Sequence, residues 1–413
     1  MSKNDISRKL NSLNSIARFG KHQFMNLGPG AMIKMFGKGK NLVSFISVGV
    51  LNEFDSITAT LYKSNPKIPR NYTLNTFQFE LAELLRILHI EQRDAKQVDW
   101  EKFIERIINK ENITVHILAP IYGVKMDSPI LKLGDFTIYN PSNKGQVLKT
   151  EFPTIYKRRN TKSLLNQDYK IGITVTAKDL DKCYELAEKS FSAFENIANF
   201  ITATFHKTNR IGIFNYSASK NIDSFIISPS KVLKTTKIIE QFTTVQIDNP
   251  YYQNDENGNK TLWQWITMEK NNLQQKIMDS VEWCGRASVE ADDSKAVLLY
   301  TISIEALLQY DESSPIKPSI MSLLSDMVAF LLGETFEQRI SYRDYIRELY
   351  SVRSAISHGG SKSNISSINL HTAFIMCHKI IRKIITTEPF KNFQTKKDLC
   401  IYLGDLKFGK PQK

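Results

Sequence analysis

Between residues 268 and 387 apolar side chains recur at intervals of three and four, stretch after stretch. Such spacing gives each segment one oily face that must be buried against its neighbours, so a packed set of helices is expected. They are predicted near 268–289, 293–309, 317–332, 338–358 and 368–387, with Pro315 and Pro318 punctuating the second junction. The fourth is the clearest. Tyr342, Tyr345, Ile346, Leu349, Val352 and Ile356 make one stripe, and Gly359 and Gly360 stand where a left-handed C-terminal cap stops a helix.

That stripe ends beside Arg353 and His358. Arginine keeps its proton and histidine titrates near neutrality, so the two offer a fixed phosphate clamp and a proton carrier. RNA supplies its own nucleophile. Its cleavage needs only orientation of the 2′-hydroxyl, proton transfer and stabilisation of charge on the pentavalent phosphate. On an ideal helix the two side chains point about 140° apart with about 7.5 Å of rise between them. That is awkward for one copy and easier for two copies facing each other across a two-fold axis, so self-association belongs to the expectation. The plainer alternative pairs Arg353 with Glu348 or Asp344 and leaves His358 as a helix-end histidine favoured by the dipole. Tyr350 is a candidate for stacking on a base or binding a phosphate oxygen, or else half-buried packing. Ser354 and Ser357 are candidate phosphate contacts, or else serines bonding backbone near a helix end. Lys362, in the serine-rich loop 359–367, is a candidate substrate guide.

The order of these segments carries a resemblance. Thr301-Ile-Ser-Ile-Glu305-Ala-Leu-Leu308, then residues 322–333, then residues 345–359 with the core Tyr350-x-x-Arg353-Ser354-x-x-x-His358-Gly359, are similar to the Apea-like branch of the HEPN superfamily. The likeness covers about residues 265–390. It implies an all-helical domain that dimerises, brings two Arg/His pairs together and cleaves RNA without a metal, many relatives being toxins or effectors of defence against phage. Carried over to this chain, Arg353 would hold the scissile phosphate and His358 would move protons during attack by the 2′-hydroxyl. The products would be a 2′,3′-cyclic phosphate and a 5′-hydroxyl. Two positions differ from the pattern. Ser354 stands where many active members outside this branch carry an amide, an acid or a histidine, and Asp326 stands where a basic residue is expected.

The expected fold class is α+β, a mixed N-terminal region followed by an all-α HEPN helical bundle. At 413 residues the chain exceeds one ordinary core. We divide it into a basic flexible or helical leading segment (1–41), a mixed α/β sensor or regulator (42–262, with a boundary near 155–168 around Lys157-Arg158-Arg159), the HEPN domain (263–390) and a basic C-terminal tail (391–413). Within the second part, 42–51 reads as a strand, 73–89 as a helix and 113–118 as a strand, and 130–139 as a hairpin around Gly134-Asp135. A strand over 170–176 runs into a helix over 177–205, with Leu180, Cys183, Ala187, Phe191, Phe194, Ala198 and Ile201 on one face and Thr176 with Asp179 as a capping pair. Residues 211–216 and 225–227 read as further strands, His116 as structural, and Trp263 and Trp265 as core packing in preference to base stacking.

Composition narrows the class. Hydrophobic content of 42% and charged content of 23% fit a globular protein. A formal charge of +13 favours a polyanionic partner such as RNA, although lysine-rich composition bias gives the same number. Cys183, Cys284, Cys377 and Cys400 lie far apart in no metal-ligand spacing, so reduced, buried thiols and a cytoplasmic location are expected. His371 and His378 lack the four-residue spacing of a helical metal pair, and neither a metal, a cofactor nor a membrane span is expected. The leading reading is therefore a latent, homodimeric, metal-independent endoribonuclease, a toxin or anti-phage effector released by a phage-derived or other protein trigger. The alternative is a non-catalytic HEPN dimer that binds RNA or a partner protein.

Overall fold

The computed structural model describes residues 3–20, 32–141, 146–153, 169–204, 206–213, 222–228, 231–237, 243–309, 319–357 and 367–409. The protein is α+β: strands and small sheets accompany helices toward the N-terminus, and a helical region follows. It divides into two compact units, Met1–Ile117 with Thr174–Glu188, and Leu118–Ile173 with Lys189–Lys413. The expected boundary at 155–168 lies outside the described residues.

The first unit begins with α1 (Lys3–Ile16), β1 (Arg18–Phe19), β2 (Ile33–Phe36) and β3 (Val43–Ile46), the strands forming an antiparallel sheet in the order β1-β3-β2. α2 (Val48–Lys63), α3 (Lys67–Asn71), α4 (Leu74–Ile90) and α5 (Gln97–Ile108) follow, and β4 (Ile113–Pro120) starts here. Leu10, Leu13, Phe45, Phe54, Phe77 and Leu81 are fully buried in one core, so α1 of the leading segment is part of the folded unit. The strand expected over 42–51 stops at Ile46. Ser47, at a positive φ of 91°, turns the chain and accepts the Val50 amide, which starts α2.

The second unit contains β5 (Val124–Lys125), β6 (Ile130–Leu133), β7 (Phe136–Tyr139) and α6 (Gln146–Glu151). β8 (Lys170–Ala177) and α7 (Leu180–Thr202) pass through the division, and a four-stranded sheet has the order β4-β8-β7-β6. β6 and β7 form the expected hairpin, Leu133 opposite Phe136, with Gly134 at φ 57° as the two-residue turn requires. A Cβ on Gly134 would lie 2.6 Å from the Trp263 carbonyl oxygen, so the turn also needs glycine for that approach. At the head of α7 it is Asp179 that accepts the Asp181 amide, at 3.1 Å, while Thr176 meets the Thr114 hydroxyl instead of capping. Leu180, placed on the apolar face by its spacing, is 60% exposed, because that face begins only at Cys183.

β9 (Ile222–Ser228) and β10 (Lys231–Lys237) pair antiparallel, and β11 (Val245–Gln246) pairs with β5. The strand expected over 211–216 is absent at 211–213, where Gly212 makes only an isolated bridge to Tyr122, and 214–216 lie outside the described residues. The chain then becomes helical: α8 (Asn259–Trp265), α9 (Asn272–Ser288), α10 (Asp293–Leu308), α11 (Ile320–Leu332), α12 (Phe336–Ser357), α13 (Ser367–Thr386) and α14 (Lys396–Lys407). α10 is central and packs against α9, α11, α12, α13 and α14, with Ala296, Val297, Ile304 and Leu307 buried. α14 replaces the tail expected over 391–413. Thr395 and Asp398 cap it reciprocally, and Leu399, Cys400 and Leu403 are buried beneath it. Among the described residues no helix is long and apolar enough to cross a membrane.

Candidate active site

The arginine of the motif meets a carboxylate that its own helix does not supply. Tyr350 and Arg353 are one turn apart on α12 and so share a face. Leu349 and Ile346 are buried beside that face, whereas Tyr345 of the stripe is 45% exposed. Opposite stands Glu305, near the C-terminal end of α10. The Tyr350 hydroxyl donates to Glu305 Oε1 at 2.9 Å, and Arg353 Nη2 lies 3.5 Å from the same oxygen. Glu348 instead accepts a bond from Asn369 at 2.9 Å, and Asp344 lies beside Arg343, so neither intrahelical acid holds Arg353.

Burial sets the character of each group. Tyr350 is buried, and desolvation, then the charge and hydrogen bond of Glu305, push its phenol above the ordinary range. It is thereby kept as a donor to Glu305. Arg353 is different: its side chain is 39% exposed, and 3.5 Å is long for a charge-assisted hydrogen bond. A guanidinium has five N–H donors, so this loose ion pair steers Arg353 while leaving most of its capacity for another anion. At the end of α10, Lys396 donates to the carbonyls of Ala306 at 2.9 Å and Glu305 at 3.4 Å, placing a cation where the helix dipole is negative.

Glu305, Tyr350 and Arg353 line an open cavity of about 610 Å³. Arg353, Ser354 and Glu305 form its polar side, and Ile320 and Met321, both exposed, form an apolar one. The cavity is large enough for a nucleotide, with a cation on one wall and greasy side chains on the other.

The candidate residues fare unequally. Arg353 and Ser354 face the cavity. Tyr350 lines it too, but its hydroxyl is engaged by Glu305. Ser357 donates to the Arg353 carbonyl of its own helix at 3.0 Å, the backbone-bonding alternative for a serine near a helix end. His358, the Gly359-Gly360 stop and Lys362 lie outside the described residues. Asp326, where a basic residue was expected, is met by Lys407 of α14 at 2.7 Å. Glu305 stands within the stretch Thr301–Leu308 that carries the resemblance, and the motif assigns it no role. The available signal was its isolation, since it is the only charged residue from Ala296 to Leu308 on an otherwise apolar helix.

Other candidates prove structural. Trp263 is buried, stacks on Phe194 at 4.8 Å and donates to the Tyr252 carbonyl. His116 meets the Thr174 hydroxyl at 3.0 Å across β4 and β8. The four cysteines are buried and none is in a disulfide. Among the described residues no three His, Cys, Asp or Glu side chains converge as a metal-binding group. Comparison with protein-family models, with curated proteins and with solved structures finds no match to this chain.

Proposed function

We propose that the chain is a metal-independent endoribonuclease of the HEPN type, a latent toxin or anti-phage effector that acts as a homodimer. The observation that carries this reading is Arg353, anchored by Glu305 of the central helix and half-open to a nucleotide-sized cavity. A guanidinium held at one edge and free over the rest is suited to clamp a phosphodiester while charge builds on phosphorus. The proposal gives His358, five positions on, the proton transfers. The 2′-oxygen attacks phosphorus, the 5′-oxygen leaves with a proton, and a 2′,3′-cyclic phosphate remains. A formal charge of +13 supports a polyanionic substrate. In this reading the N-terminal region restrains the helical domain until a phage-derived or other protein trigger arrives, and the site acts in the cytoplasm.

A second reading is a dimer that binds RNA or a partner protein without cutting. The engagement of Arg353 by Glu305 favours it, since a carboxylate already occupies part of the clamp. Expression of the full chain separates the two. Growth arrest with RNA fragmentation that disappears in both Arg353→Ala and His358→Ala supports the nuclease; arrest that persists in both removes this site assignment.

A further inference from the structure

The cavity in front of Arg353 has a second polar feature that a phosphate clamp leaves unused. Glu305 lines it with a side chain only 17% exposed, and both side-chain contacts of this acid fall on one oxygen. Oε1 accepts from the Tyr350 hydroxyl at 2.9 Å and lies 3.5 Å from Arg353 Nη2. Oε2 is bonded to none of the described residues and is not sealed from solvent, so it opens to the cavity. Two donors at Oε1 thus fix which oxygen looks inward. A half-shielded carboxylate oxygen gains most from an N–H donor, because little water competes for it.

The rest of the lining suits a flat ring better than a second phosphate. Ile320 and Met321, at the start of α11, leave an exposed apolar wall. Ser351 and Ser354 of α12 line the same space with hydroxyls that can donate. A second anion would meet the Glu305 carboxylate, and a bare cation would meet the Arg353 guanidinium. A ring that carries an amine on its edge satisfies the apolar wall and Oε2 together.

We infer that this cavity reads one RNA base by its exocyclic amine, taking cytosine or adenine and disfavouring uracil. Base reading of this kind presupposes the RNA substrate proposed above and adds the base to it. With the phosphate on the outer donors of Arg353, the ring lies against Ile320 and Met321. Its amine donates to Glu305 Oε2, and the adjacent ring nitrogen accepts from a serine hydroxyl. Uracil carries a carbonyl oxygen where cytosine carries the amine, so the same pose sets two acceptors against each other. Tyr350 is the positioning residue, since its bond to Oε1 leaves Oε2 as the acceptor. In Glu305→Gln the amide oxygen stays with Tyr350 and Arg353, and the amide nitrogen takes the place of Oε2. The acceptor becomes a donor, and the base preference inverts.

Equilibrium binding of short 2′-fluoro RNA to the full chain tests this without requiring cleavage, because the nucleophile is absent. The probes are an all-uridine pentamer and the same pentamer with cytosine or adenine at its centre, titrated by fluorescence anisotropy. The wild type is expected to bind the cytosine and adenine probes about ten-fold tighter than the all-uridine one. Glu305→Gln is expected to reverse that order. The comparison of probes on the wild type stands by itself if the variant fails to fold. Cytosine and adenine probes bound no tighter than uridine, or a cytosine preference that survives Glu305→Gln, would overturn the base assignment and leave the RNA reading in place. Saturable binding of none of the probes up to ~0.1 mM would remove both.

Discussion

Two ionisable side chains in the second unit, His378 of α13 and Arg353 of α12, show opposite uses of a polar group. His378 is stacked on Phe200 at 4.5 Å with an interplanar angle of 3° and touches Phe374 at 4.6 Å. Burial, then the nearby Arg382 charge, drives its pKa down to about 3, so at neutral pH it is an uncharged aromatic plate. Arg353 has a carboxylate partner, a long ion pair and an open cavity in front of it. The lesson is that a histidine on an apolar helix face is core, while a charge near a helix end, opposed by one acid of another helix, is poised for a ligand.

Substitutions at the two sites put that contrast to the test. The largest effect is expected at the motif: His358→Ala should slow RNA cleavage by about 10² to 10⁴-fold, the usual contribution of a positioned proton carrier. His378→Phe should leave cleavage intact and remove a pH dependence of stability. The unfolded histidine titrates near 6.5 and the folded one near 3, so the folded pKa is depressed. Its contribution is therefore fully present above the unfolded value and lost as pH falls from 6.5 toward 3. In that window the wild type should lose about 1.4 kcal/mol per pH unit relative to the variant, read by urea denaturation at stepped pH. An identical pH dependence in both proteins would place His378 outside the core.

Smaller effects follow from the hydrogen bonds. Tyr350→Phe removes the donor to Glu305 and should cost about 1–3 kcal/mol in denaturant melts, since it strands part of a shielded carboxylate. A loss near zero would mean that Glu305 is solvated and does not steer Arg353. Ser357→Ala, which touches only its own helix, should change stability by less than about 0.5 kcal/mol and leave cleavage unaltered.

Much of the helical region was legible in the sequence because burial there follows the 3.6-residue period. The helices over 272–288, 293–308, 320–332, 336–357 and 367–386 lie close to the predicted spans. Periodicity failed where few apolar residues carry the packing: α14 buries Leu399, Cys400 and Leu403 within a lysine-rich stretch that reads as a tail. Its Thr395/Asp398 capping pair was the better signal. The run 42–51 reads as one mostly apolar stretch with Ser44 and Ser47 in it; Ser44 stays buried in β3, while Ser47, whose side chain caps α2, divides strand from helix. At the candidate site, the chemistry of Arg353 was readable from its position in the motif, but its partner was not. Spacing along one helix points to Glu348 and Asp344, whereas the acid that meets Arg353 comes from a helix 45 residues upstream at the Tyr350 contact, a tertiary pairing that local sequence does not encode.

The most direct measurement is the chemistry of the RNA ends left by purified, triggered protein in the presence of chelator. The account predicts 2′,3′-cyclic phosphate and 5′-hydroxyl termini from the wild type, and no cleavage above background from Arg353→Ala or His358→Ala. Cleavage that vanishes with chelator, leaves 3′-hydroxyl ends or survives both substitutions would contradict it.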